Sequence, residues 1–62
     1  MTYLTKPQRR ALHQLFTRSA ESTRMSYHTF RRTVRPGFGG GYIMVPFCGM
    51  HVGIEQDGYT HS

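Results

Sequence analysis

Apolar residues recur along this chain at two different periods, and the change of period splits it into a helical half and a strand half. Over 5–18, Ala11, Leu12, Leu15 and Phe16 follow the i, i+3, i+4 spacing of a helix with one apolar stripe. Lys6, Arg10, His13, Gln14 and Thr17 fall on the opposite side. Thr5 and Gln8 have the T-x-x-Q spacing of a capping box, and Pro7 is suited to a first helical turn. A second helix is expected over 27–35. Ser26 is its N-cap, Met25 and Phe30 stand at the hydrophobic-staple spacing, and Tyr27, Phe30 and Val34 form its stripe. Pro36 and Gly37 end it, because the residue before a proline is pushed away from helical geometry. Residues 19–25 read as a polar connector without periodicity, and 37–41 as a flexible glycine-rich joint.

From 42 onward the period falls to two. With Cys48-Gly49 as a two-residue hairpin loop, Phe47 faces Met50, Val45 faces Val52 and Ile43 faces Ile54. All six then share one face, with Tyr42, Met44, Pro46, His51, Gly53 and Glu55 on the other. Asp57-Gly58 is a second turn signal, returning a short strand over 59–61. Pro46 cannot donate to a ladder, so its strand is an edge or its nitrogen faces outward. The fold class expected is α+β: two N-terminal helices packed on a C-terminal two- or three-stranded antiparallel meander over 42–61.

A chain of 62 residues holds a single domain, 1–62, and one of that size is marginal alone. Its one cysteine allows no internal disulfide, which leaves a partner, a homo-oligomer or unusually good packing as remedies. The lone thiol is compatible with a reducing compartment. The stretch MTYLTKPQRRALHQLF has no h-region, so no signal peptide is expected, and no apolar run approaches a membrane span.

Charge changes the picture most. Eight Lys and Arg oppose three acids, giving a formal net charge of +5, and seven of the eight are Arg. Arg grips phosphate or carboxylate in a bidentate fork, so the excess points to an anionic partner. All eight precede residue 36. On the expected second helix, His28, Arg31, Arg32 and Arg35 have the i, i+3, i+4, i+7 spacing of one face with no interleaved acid. Lys6, Arg9, Arg10 and Arg18 add a second set on the first helix. If the helices lie side by side, the two sets merge into a groove of the kind that binds a phosphate backbone. The competing reading is a solvated face balancing an acidic neighbour. Among the aromatics, Tyr3, Tyr27, Phe38, Tyr42 and Tyr59 are not all placed for the core, and rings beside cations suit single-stranded nucleic acid. Tyr27 and Tyr42 also read as half-buried boundary residues.

Other chemistry finds little footing. GFGGG lacks the spacing of a phosphate-binding loop and leads into a strand rather than a helix. Cys48 and His51 would point to opposite faces of a hairpin, so no metal site and no cofactor are expected, and Cys48 is read as a turn residue. Glu21 falls in the connector and Asp57 in a turn, and no nucleophile, base and orienter can be assembled from spacing; no enzyme is expected.

The pairing of LTKPQRRALHQLF with CGMHVGIEQDGYTHS resembles small uncharacterised phage-encoded proteins, especially those of single-stranded DNA phages. That resemblance spans nearly the whole chain and carries no motif whose residues have an assigned role. It implies a viral setting in the host cytoplasm or on the virion, and three roles: genome binding, virion structure, or interference with a host protein. The start, L-T-x-x-Q-R-x-A-L, is also similar to the first helix of winged helix-turn-helix proteins, but only two helices precede the hairpin here. The function expected is non-enzymatic binding of nucleic acid through phosphates with little sequence specificity. Arg31, Arg32 and Arg35 with His28 are its primary contacts, and Lys6, Arg9, Arg10 and Arg18 support them. The rival is docking on an acidic host surface or a minor virion role. No membrane partner is expected.

Overall fold

The capping box forms as its spacing predicts. The Gln8 N–H donates to Thr5 Oγ1 (3.2 Å) and the Thr5 N–H to Gln8 Oε1 (2.9 Å), which starts helix α1, Lys6–Arg18. The computed structural model describes residues 3–47 and 49–62, and of Glu21 the backbone alone. Met1, Thr2 and Cys48, including the reading of Cys48 as a turn residue, lie outside the described residues.

Gln8 is buried, and its Nε2 donates to the Ile54 carbonyl at 3.1 Å. The Thr5 hydroxyl donates to the Gln56 carbonyl at 2.7 Å. These two bonds fasten the start of α1 to the end of the sheet. Ser19 caps the other end, its N–H donating to Phe16 O, and the polar connector that follows includes a 3-10 turn, Ala20–Thr23.

Helix α2 covers Tyr27–Arg31, shorter than the 27–35 expected. Ser26 caps it, accepting from the Thr29 N–H at 3.3 Å. Its end tightens into i→i+3 bonds, with Thr33 N–H on Phe30 O and Val34 N–H on Arg31 O. The Thr33 hydroxyl also donates to Phe30 O at 2.7 Å, offering that carbonyl a partner that does not require another helical turn. Val34 then enters the core, and Arg35, preceding Pro36, becomes extended. Arg35–Pro36 is strand β1.

Strand β2 is Tyr42–Phe47, β3 is Met50–Glu55 and β4 is Thr60–His61. The sheet is antiparallel throughout, in the order β1-β2-β3-β4, so it has four strands where two or three were expected. Its central register is the one read from the turn: Phe47 opposite Met50, Val45 opposite Val52, Ile43 opposite Ile54. Gly49 has φ 81°, a left-handed value suited to glycine in a tight turn. The glycine segment 37–41 is the β1–β2 loop, closed by Gly37 N–H on Tyr42 O (2.8 Å) and Gly40 N–H on Gly37 O (3.1 Å). Tyr42 O faces β1, so period two turns the Pro46 nitrogen to the same side, past the last β1 pair at Met44. The sheet thus tolerates that proline in a central strand.

The core lies between the helices and one sheet face: Leu4, Leu12, Phe16, Phe30, Val34, Ile43, Val45 and Ile54. Burial fades toward the β2–β3 turn, where Phe47 and Val52 are half-buried and Met50 is exposed. On the outer face, the Tyr42 ring lies over Gly37 and the His61 ring over Gly53, each filling space a side chain would occupy. His61 Nε2 and Glu55 Oε2, 2.7 Å apart, tie β4 to β3.

Candidate functional site

Helical spacing gathers the first basic set. Lys6, Arg9, Arg10 and His13 lie one turn apart along α1, all exposed. With Gln14 and Tyr27 they line an open groove of about 530 Å³. Tyr27 reaches it because α2 packs on α1 through Phe30 and Phe16, whose rings are 5.2 Å apart. The Tyr27 ring meets Phe16 edge-on at 5.7 Å and sits 5.1 Å from His13. It is half-buried, as the sequence suggested, with its remaining surface in a cationic groove.

Arg18 does not line this groove. It is the last residue of α1, a turn beyond Gln14, where the helical lining of the groove ends. Its place in the last turn is favourable against the helix dipole.

The second basic set is not one helical face. His28 and Arg31 are on α2, Arg32 is its C-cap, and Arg35 is on β1. The helix would have to run four residues further to align them. His28 and Arg32 are exposed and Arg31 is half-buried. Arg35 Nη1 donates to the carbonyls of Arg32 and Val34, both at 3.2 Å, so part of its role is to hold the turn out of α2. The guanidinium keeps further donors on Nη2 and Nε.

The groove therefore brings together three of the eight residues singled out from sequence, Lys6, Arg9 and Arg10, and adds His13, Gln14 and Tyr27. His13 carries a signal that could have found it: it follows Arg9 and Arg10 at i+4 and i+3. Tyr27 joins only through the crossing of the two helices, which no local spacing encodes.

The described carboxylates lie elsewhere. Glu55 pairs with His61, and Asp57 Oδ1 accepts the Tyr59 N–H at 3.0 Å within the β3–β4 turn. None of Lys6, Arg9, Arg10 or Arg32 has an acidic partner among the described residues. Nor, among those residues, do three His, Cys, Asp or Glu side chains converge to hold a metal ion, and no helix is long and apolar enough to cross a membrane. No family model matches the sequence, and comparison with curated proteins and with solved structures gave no match.

Proposed function

We propose that this chain is a non-enzymatic protein that binds nucleic acid through its phosphates with little sequence specificity. The observation that carries the reading is the groove of Lys6, Arg9 and Arg10, three exposed cations at helical spacing with His13 beside them and no carboxylate in the lining. Such an array attracts a polyanion and gains from release of its counterions. Low specificity follows from the elements. Helix α2 has five residues, about 7.5 Å at 1.5 Å per residue, too short to lie along a major groove and read several bases. The resemblance to phage-encoded proteins supports a phage genome as the target, met in the host cytoplasm or in the virion.

The test is binding to single- and double-stranded oligonucleotides of unrelated sequence across a salt series. With about three phosphates neutralised by Lys6, Arg9 and Arg10, log affinity for duplex should fall against log salt with a slope of roughly −3, and less steeply on single strands. Arg9→Gln with Arg10→Gln should remove about two units of the duplex slope. Both side chains are exposed, so circular dichroism should be unchanged. A native chain without measurable affinity at low salt overturns the reading and turns the same cations toward an acidic protein surface.

A further inference from the structure

Four large hydrophobic side chains are exposed among the described residues: Tyr3, Phe38, Met50 and Tyr59. Met50 lies at the β2–β3 turn. The other three gather at the opposite end, because an antiparallel meander puts the β1–β2 loop and the β3–β4 turn together. Tyr3, Gly40, Gly41 and Gln56 line a cavity of about 160 Å³ there. Gly41 and Gln56 also line the neighbouring hollow, which Tyr59 borders. Phe38 stands on the same glycine loop, 95% exposed. Its loop is no slack segment: Gly39 and Gly40 hold φ of 86° and 79°, and two backbone hydrogen bonds close it.

An exposed Phe forgoes the gain of burying its ring in a domain that has little core to spare. Three such rings at one end mark a contact surface. The surrounding charges say what it fits. Helix α1 is fastened at this end through Thr5 and Gln8, so the groove begins here, with Lys6 three residues from Tyr3. Arg35 is three residues from Phe38, on the strand that enters the same loop. Cations that suit phosphates therefore flank flat rings that suit bases. Glu55 and Asp57 border the Tyr59 hollow and repel phosphate from it, leaving that end to uncharged groups.

We propose that Phe38, with Tyr3 and Tyr59, forms a platform on which unstacked bases of a single strand stack while its phosphates follow the Lys6 groove. This rests on the phosphate-binding reading above and names the strand form that site prefers. Bases paired in a duplex cannot reach the platform, so single strands gain a contact that duplexes lack.

Phe38→Ala should weaken single-strand binding on the order of 5- to 100-fold, leave the salt slope unchanged, and alter duplex binding little. Thermal stability should stay native, since the ring packs against no core residue. The chain has no tryptophan, so Phe38→Trp supplies a unique fluorophore. Its emission should be quenched by single-stranded oligonucleotide and not by duplex. Single-strand affinity of Phe38→Ala equal to native, with no quenching in Phe38→Trp, overturns the platform. If salt-dependent binding persists in that case, the phosphate reading stands without it. A native chain that binds neither form removes both.

Discussion

Val45 is fully buried and faces Val52 across β2 and β3, in the register that a two-residue loop at 48–49 requires. Removing its two methyl groups leaves a void in the core cluster that a small core has little means to refill. Val45→Ala should cost about 1–3 kcal/mol, a large share of the stability of a chain this short. Urea unfolding reads it as a lower midpoint at unchanged m; a native midpoint would sink the packing described. Val45 was legible because alternation and turn length agree on it, and a slip of one residue would turn it to solvent. Gln8 was legible in part. Its capping role follows from the T-x-x-Q spacing, but its second bond, to Ile54 O, joins residues far apart in sequence. Only the docked helix reveals why a polar side chain is tolerated at 3% exposure.

At the scale of elements, the hairpin register and α1 could be read directly, and the end of α2 could not. The helical stripe of Tyr27, Phe30 and Val34 continues to 34, yet Val34 keeps its place in the core from outside the helix. Competition from the Thr33 hydroxyl and the restriction before Pro36 ended α2 early and released Arg35 to pair as an edge strand. That change split the arginine stripe. The docking of α1 against the β3–β4 turn was equally invisible to local pattern. Gly58 there has φ 94°, and a methyl group on it would lie 3.2 Å from both Cβ and the carbonyl oxygen of Pro7. Gly58→Ala should therefore destabilise by about 1–3 kcal/mol through backbone strain. It should also speed hydrogen exchange in the first turn of α1 and in β4. Gly41→Ala, with open space around it and no positive φ, is the control and should be close to neutral. Equal exchange in the two variants would show that the turn does not hold the helix.

Charge is unevenly placed along the molecule: every Lys and Arg lies at or before Arg35, while two of the three acids, Glu55 and Asp57, lie at the end of β3 and in the turn after it, Glu21 being in the connector between the helices. A net charge of +5 would by itself draw the protein to any polyanion, so affinity alone does not distinguish a groove from a cloud of positive charge. Placement does. Arg10 and Arg18 are both exposed residues of α1, and replacing either by Gln lowers the net charge by the same single unit. Arg10 lines the groove with Lys6, Arg9 and Tyr27, whereas Arg18 lies at the other end of the helix and outside the groove. If a phosphate backbone is held by contact in the groove, Arg10→Gln should reduce the duplex salt slope by about 0.9, the increment for one lost phosphate, and Arg18→Gln by much less. If the protein acts through its overall field, the two variants should fall together, because beyond a Debye length of about 8 Å at physiological salt neither position is privileged. Arg32→Gln extends the comparison. It is exposed at the end of α2, and a slope reduced by a further unit when it is combined with Arg10→Gln would place the helix α2 arginines on the same strand path. The measurement is one salt series on four proteins with a common duplex. Identical slopes for Arg10→Gln and Arg18→Gln would remove the groove from the account, whatever affinity remained.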